Sequence, residues 1–218
     1  MTAIQIRKAD MADVEKIEYI QNHALQVLKN AETLDPVPVG ELMENIKQGL
    51  MAVALVDDEV AAFRTMHVPD EDYLGPYAGI VNAQEEGLIY SDITIVDPDY
   101  RGLSLQRKLG EWLFEQFEQD YKVIMATVHP DNIPSLKDKF HLGMHITAMD
   151  KLYGGKLRFI FKKEVHNNFE IKELTRVNIE NLSAIEQYLN EGYKGISMAD
   201  GKIMFGSLLQ LKNDSIIK

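Results

Sequence analysis

The sequence predicts an α/β fold in which strands and amphipathic helices follow one another along the chain. Two short runs rich in β-branched residues, 91–96 and 123–128, have the composition of buried strands. Between them, apolar residues from Leu105 onward recur at helical spacing. Because a helix there joins two buried strands, we expect a right-handed parallel β–α–β crossover.

The composition is that of a globular protein with an excess of acidic residues. Hydrophobic residues make up 45% of the 218 residues, which is enough for a sizeable core. The 23 Lys and Arg against 34 Asp and Glu give a net charge of −11, which argues against nucleic acid or an anionic membrane as a partner. The chain has no cysteine, which excludes disulfides and a thiol nucleophile. Since we find neither a signal peptide nor a long apolar span, we expect a cytoplasmic protein.

The N-terminal half alternates between strand and helix patterns. Asp10 is a good N-cap for an amphipathic helix, and Asp57 and Asp58 suit the turn of a hairpin. A loop at 69–87 is unusually long and carries five acids with no Lys or Arg. The predicted elements are a strand at 2–8, helices at 11–28 and 41–48, and strands at 50–56 and 60–68.

The turn that follows the strand at 91–96 carries an unusual charge pattern. Arg101, Arg107 and Lys108 gather at the start of the next helix, and no acid occurs from Arg101 to Gly110. Helices normally prefer acids in their first turn, because the N-terminal end of the helix dipole is positive. A cationic helix start in an acidic protein indicates a site for a polyanion; the alternative is a solvated basic turn.

The same turn resembles the acetyl-CoA pyrophosphate loop of the GNAT superfamily of N-acetyltransferases. That loop has the pattern Arg/Gln-x-x-Gly-x-Gly/Ala, usually preceded by Val-x-Pro and an aromatic residue. The sequence departs from it at Ser104 and Gln106, which both make the loop tighter for a phosphate. The matching residues are Val96, Pro98, Tyr100, Arg101 and Gly102.

A second stretch is similar to the next motif of the family, a strand followed by Asn-x-x-Ala/Ser and a short helix. Here the strand at 123–128 is followed by Asn132 and Ser135, and the segment ends at 142–144 in Leu-Gly-Met. The resemblance covers about the first three-quarters of the chain. It implies the GNAT fold, a mixed central sheet with splayed parallel strands flanked by helices.

The resemblance also implies a cofactor site for acetyl-CoA as the acyl donor. Ile95 and Val96 would contact the pantetheine arm in the gap between the splayed strands, and the loop would hold the pyrophosphate. The implied cofactor-binding residues are Ile95, Val96, Arg101, Gly102, Leu103, Ser104, Leu105, Gln106, Arg107, Asn132 and Ser135.

An acetyltransferase must remove a proton from the attacking amine and stabilise the departing thiolate. Family members often place a carboxylate base on the cofactor strand. Asp92 is the carboxylate within 91–96, and it is either this base or a polar residue that faces outward. Many members protonate the thiolate with a Tyr where this chain has Lys139, which leaves the acid unassigned. We expect Lys139 to be a solvated helix residue.

These features predict an N-acetyltransferase that acts on the amine of a small molecule or amino-acid-like acceptor. The acidic loop at 69–87 either borders the acceptor site, where it attracts a cationic amine, or is a solvated loop. The alternative function is a catalytically silent acyl-CoA-binding module. No metal site is expected, because Gly143 ends the helix between His141 and His145.

The last quarter of the chain adds an extension to the acetyltransferase domain, which we assign to residues 1–164. After a predicted hairpin at 146–153 and 157–163, the polar stretch Val-His-Asn-Asn marks a boundary. Residues 165–218 predict a β-α-β-β unit too small to be stable alone. We expect it to pack on the main domain or on a partner subunit in a homodimer. Its elements are a strand at 169–177, a helix at 179–190 and a hairpin at 195–205.

Overall fold

The computed structural model describes residues 3–30, 33–83 and 85–211, and in these ranges it contains ten strands and five α-helices. This confirms the predicted α/β class. Three short 3-10 turns lie at Met11–Asp13, Gly75–Ala78 and Pro98–Tyr100. The elements are β1 Ile4–Lys8, α1 Val14–Gln26, α2 Val39–Lys47, β2 Met51–Val56, β3 Glu59–His67, β4 Leu88–Val96, α3 Leu105–Phe117, β5 Val123–Val128, α4 Ile133–His141, β6 His145–Leu152, β7 Lys156–Glu164, β8 Phe169–Asn178, α5 Leu182–Asn190, β9 Lys194–Ala199 and β10 Lys202–Gln210.

Predicted and observed boundaries agree best where one strong local pattern decides them. Strand β5 and the start of α3 fall where the sequence predicts them, and Asp10 accepts a hydrogen bond from the backbone N–H of Ala12 as the expected cap. The helix predicted for 11–28 is shorter, because its first residues form the 3-10 turn. In the extension, α5 begins after its cap, Asn181, three residues later than predicted. Thr2, the first residue of the predicted N-terminal strand, lies outside the described residues.

The chain divides into two compact units, of which the first comprises Met1–Glu71 and Ile89–Asp120. Strands β1, β2, β3 and β4 lie side by side in that order, and each pair is antiparallel. Alternate residues of β2 and β3, such as Val53 and Phe63, form a core with α1 and α2. Helix α3 packs against the same two strands on their other face, where Phe114 meets Arg64 of β3. Helices therefore flank both faces of this sheet.

The second unit comprises Asp72–Leu88 and Tyr121–Lys218. Its strands lie in the order β5, β7, β6, β9, β10, β8, and each neighbouring pair is antiparallel. The predicted hairpins appear as β6–β7 and β9–β10, and β9 joins β6 through the pair Gly195 and Ile146. The domain division at residue 164 stays a prediction. Within the described chain, no helix is long and apolar enough to cross a membrane.

The contact between the extension and β6 depends on a residue without a side chain. A Cβ at Gly195 would lie 3.1 Å from Cβ and Cδ1 of Ile146 and 3.1 Å from Cγ2 of Ile203. Gly195→Val should therefore lower the free energy of unfolding by about 1–3 kcal/mol, the usual cost of overpacking a core. Urea unfolding measures this change.

The matched control is Gly40→Val, because a Cβ at Gly40 meets no atom within 4 Å. We expect that variant to unfold close to the wild-type midpoint. Equal midpoints for the two variants would contradict the claim that β9 packs tightly against β6.

Candidate functional site

The cationic turn lies in the first unit, directly after β4, and the structure explains how it is held in place. The Asp97 side chain, buried at 3% exposure, accepts a hydrogen bond from the backbone N–H of Asp99 at 3.1 Å and lies 3.0 Å from Nδ1 of His23 on α1. The backbone N–H of Asp97 donates a hydrogen bond to the carbonyl oxygen of Ala61 on β3 at 2.9 Å. The start of the loop is thus attached to both a strand and a helix.

The loop then turns sharply into α3 through two residues with positive φ. Gly102 has φ 87° and Ser104 has φ 58°, a left-handed conformation that costs a non-glycine residue about 1–2 kcal/mol. The family pattern has glycine where this chain has Ser104, and the observed φ gives that preference a physical reason. The loop therefore keeps the conformation for which the missing glycine is suited.

The N-terminus of α3 is suited to an anion. Ser104 occupies the cap position but makes no capping hydrogen bond, and the first turn contains no acid. The first N–H groups of a helix have no partner inside the helix, and the same segment of sequence carries the exposed Arg101 and Arg107. Arg107 also binds Glu111, with 3.0 Å between Nε and Oε1. Backbone donors, the positive end of the helix dipole and two exposed arginines thus occur within residues 101–107.

Helix α3 is attached to the sheet by a buried guanidinium. Arg64 of β3 is fully buried, donates a hydrogen bond to Oγ of Ser91 at 3.0 Å, and lies over the Phe114 ring with 5.2 Å to the ring centre. These contacts join β3, β4 and α3. The last turn of α3 is therefore attached to the core of the unit.

Strand β4 contains a bulge at the candidate catalytic residue. Arg64 pairs with Thr94 and Met66 pairs with Ser91, so the two residues Asp92 and Ile93 lie opposite the single residue Thr65. Such bulges redirect side chains and are frequent next to active sites. Here the bulge begins at Asp92.

The Asp92 side chain does not simply face solvent, because it binds a histidine from the neighbouring strand. Both carboxylate oxygens lie 2.6 Å from Nδ1 of His67, the last residue of β3. The side chains are 15% exposed for Asp92 and 23% exposed for His67. Glu41 of α2 lies close to this pair. One side-chain nitrogen or oxygen atom from each of Glu41, His67 and Asp92 lies within 4.8 Å of the other two.

The electrostatic environment of His67 favours its charged form. Burial lowers the pKa of His67, but the hydrogen bond to Asp92 and the negative charges of Asp92, Glu41 and Asp70 outweigh burial and raise it above 6.5. The Tyr90 ring packs edge-on against the imidazole, with 5.1 Å between ring centres. The neighbouring carboxylates therefore stabilise a proton on the imidazole.

The sequence did not indicate His67 or Glu41 as functional residues. The available signal was the order of strands, since antiparallel pairing of 60–68 with the next strand places the end of one near the start of the other. A second cluster, of His23, Asp97 and Asp99, was also not predicted. Among the described residues, His141 and His145 belong neither to this cluster nor to the cluster of Glu41, His67 and Asp92.

In the second unit, the Asn-x-x-Ser motif has a structural role of its own. The Asn132 side chain caps α4 by accepting a hydrogen bond from the Ser135 N–H at 3.2 Å. The contact of Asn132 and Ser135 with a cofactor stays a prediction. The expectation for Lys139 was wrong: it is 2% exposed, and its Nζ lies 3.5 Å from Oδ2 of Asp138. Lys139 is buried because the face of α4 that carries it packs inside the second unit.

The acidic loop at 69–87 contributes to both units and is structured in the second. Asp72 accepts hydrogen bonds from the N–H groups of Leu74 and Gly75, and Leu74 is buried. The Tyr73 hydroxyl lies 3.1 Å from that of Tyr153, and Tyr77 donates to Asp150. Its described part from Asp72 onward is therefore attached to β6 and the β6–β7 turn, and a role at an acceptor site stays a prediction.

Comparison with known proteins gives matches at the level of structure. No family model and no curated protein matches the sequence. The yncA protein of Salmonella typhimurium, solved with its cofactor acetyl-CoA, matches with a TM-score of 0.56 and 20% identity over 75% of this chain and 94% of that chain. A GNAT-family acetyltransferase of Listeria monocytogenes matches with a TM-score of 0.56 and 15% identity, over 74% and 94%.

A third similar structure is the ribosomal-protein-S18-alanine N-acetyltransferase of Escherichia coli, with a TM-score of 0.55 and 17% identity over 75% of this chain and 94% of that chain. The chain therefore has the GNAT fold, which confirms the predicted resemblance and fold class. The matched share also agrees with the predicted three-quarters.

A charge reversal in the loop tests whether the helix end is the anion site. Arg107→Glu replaces a cation with an anion beside the N-terminus of α3, so we expect the affinity for CoA to fall tenfold or more, about 1.4 kcal/mol. Isothermal titration calorimetry measures it.

The control is Lys172→Glu on the exposed strand β8, which makes the same change in net charge and should leave CoA affinity within twofold. Equal losses from both variants would mean that only the total charge of the protein matters.

Proposed function

We propose that this protein transfers the acetyl group of acetyl-CoA to the amine of a small molecule or amino-acid-like acceptor. One observation carries the proposal: strand β4 bears Asp92, hydrogen-bonded to His67 of β3, at its bulge, and the cationic loop after β4 leads into the start of α3. A proton acceptor and a phosphate site on the same strand–helix segment are what acetyl transfer from CoA requires. Similarity to a structure solved with acetyl-CoA supports the choice of donor.

In this proposal the cofactor binds along β4 and its loop. Ile95 and Val96 contact the pantetheine arm, and the segment 101–107 holds the pyrophosphate through backbone N–H groups and its two arginines. Asn132 and Ser135, at the start of α4, are proposed as further cofactor contacts. When bound, acetyl-CoA supplies the activated acyl group, and the residues of the chain orient it and manage protons.

The acceptor is proposed to be cationic before it reacts. Glu41, Asp70 and Asp92 place negative charge around the pair, which attracts an ammonium group over a distance of about 10 Å. The Asp92–His67 pair then removes a proton from the ammonium, because only the neutral amine has a lone pair with which to attack a carbonyl. We assign no residue to protonation of the thiolate.

A catalytically silent acyl-CoA-binding module is the second candidate, and two observations favour it. Lys139 stands where many family members have the Tyr that protonates the thiolate, and Ser104 holds a loop conformation suited to glycine. Release of free thiol from acetyl-CoA in the presence of a panel of amines separates the two. The enzyme consumes the thioester, whereas the silent module binds CoA and releases no thiol.

Thermal unfolding with acetyl-CoA tests the cofactor assignment shared by both candidates. A ligand at a hundredfold excess over its dissociation constant stabilises a two-state protein by about 2.7 kcal/mol. For a chain of this length that corresponds to an upward shift in melting temperature of roughly 5–10 °C.

NAD and ATP at the same concentration are the controls, and neither should produce a comparable shift. The absence of a shift with any CoA ester up to millimolar concentration would rule out both candidate functions.

A further inference from the structure

We propose that His67 is the residue that accepts the amine proton and that Asp92 is a positioning residue that acts through it. This inference rests on the proposed function, and it assigns separate roles to the two members of the pair. From the sequence, Asp92 is either the base or a polar residue that faces outward, and nothing in the sequence indicates His67 as its partner.

The first argument is the geometry of the hydrogen bond. Both oxygens of Asp92 lie 2.6 Å from Nδ1 of His67. A carboxylate accepts hydrogen bonds, so Nδ1 carries the proton that it donates to Asp92. In the neutral imidazole the other ring nitrogen, Nε2, then holds the free lone pair. The carboxylate thereby fixes the tautomer in which His67 is a base.

The imidazole of His67 is held in place and is partly exposed to solvent. The edge-on contact with Tyr90 and the bond to Asp92 both restrict rotation of the ring. The His67 side chain is 23% exposed, against 15% for Asp92. An acceptor that arrives from solvent can therefore reach the imidazole at least as readily as the carboxylate.

The third argument concerns the charge that develops on His67 when it takes up a proton. Asp92 lies on the neighbouring strand, Glu41 on α2 and Asp70 just beyond β3, and all three carboxylates act on the imidazole. Their negative charge stabilises the imidazolium and explains why the pKa of His67 is raised despite burial.

Acetyl transfer moves two protons away from the acceptor nitrogen. The ammonium group of the acceptor gives one proton to Nε2 of His67, and its nitrogen forms a bond to the carbonyl carbon of acetyl-CoA. The carbon–sulfur bond then breaks, and its electron pair stays on sulfur. The second proton lost by the nitrogen ends on the thiolate as free CoA forms, and His67 releases its own proton to water.

Two variants of the full chain distinguish the roles, measured as kcat/KM against pH with an accepted amine. His67→Gln should lower kcat/KM at neutral pH by roughly 10²–10⁴, the usual contribution of a positioned base. The variant should also lose the rising limb of the pH profile, the part in which kcat/KM increases as His67 loses its proton. The loss should shrink at high pH, where more of the amine is already deprotonated.

Asp92→Asn should lower turnover but keep the limb, and the limb should move to lower pH. The sign follows because the carboxylate raises the pKa of His67, so its removal lowers that pKa. His166→Gln is the control, since His166 is exposed and lies outside both clusters. Full turnover in His67→Gln, together with a lost limb in Asp92→Asn, would make Asp92 the base and overturn the proposal.

An NMR titration of the histidine side chains provides a readout that does not depend on turnover. In the wild-type protein without ligand, His67 should titrate above 6.5, and Asp92→Asn should lower its pKa. A His67 pKa unaffected by Asp92→Asn would overturn the assignment even in an active enzyme. If no amine is acetylated, the proposed function and the role of His67 both fail, and the titration then reports only on the pair.

Discussion

The antiparallel pairing of β3 with β4 is the constraint on which the candidate site depends. It brings the end of one strand beside the start of the other, and the bulge opposite Thr65 places Asp92 against His67. At the far end of the same pairing, the bond from Asp97 to Ala61 fixes where the cationic loop begins. A shift of register by one residue would move Asp92 to the other face of the sheet and separate it from His67.

A buried charge gives this pairing its connection to the helix. Arg64 contacts Ser91 on β4 and Phe114 in the last turn of α3 from within the core, so the two strands and the helix are held together. A fully buried guanidinium is costly unless hydrogen bonds and a π face compensate for lost water. The two kinds of charge suit different parts of the proposed substrates. The carboxylates around His67 attract an ammonium group, whereas the start of α3 and its arginines suit a polyanion.

The parts of the fold set by local pattern could be predicted from sequence, and those set by tertiary contact could not. Strand β5 and the start of α3 follow from β-branched composition and helical period. The contact between His67 and Asp92 could not be predicted. A short turn would fix the register of the two strands, but the long loop at 69–87 that joins them does not. Lys139 was wrongly expected in solvent, since the residue type alone favours exposure and the packing of α4 determines the outcome.

A crystal structure of the protein with CoA tests the central claim most directly, namely that the N-terminus of α3 binds the cofactor pyrophosphate. We expect pyrophosphate oxygens within about 3 Å of the backbone N–H groups of residues 102–106, the usual hydrogen-bond distance, with the guanidinium groups of Arg101 and Arg107 turned towards them. CoA bound elsewhere on the chain, with this helix end in contact with solvent alone, would contradict it.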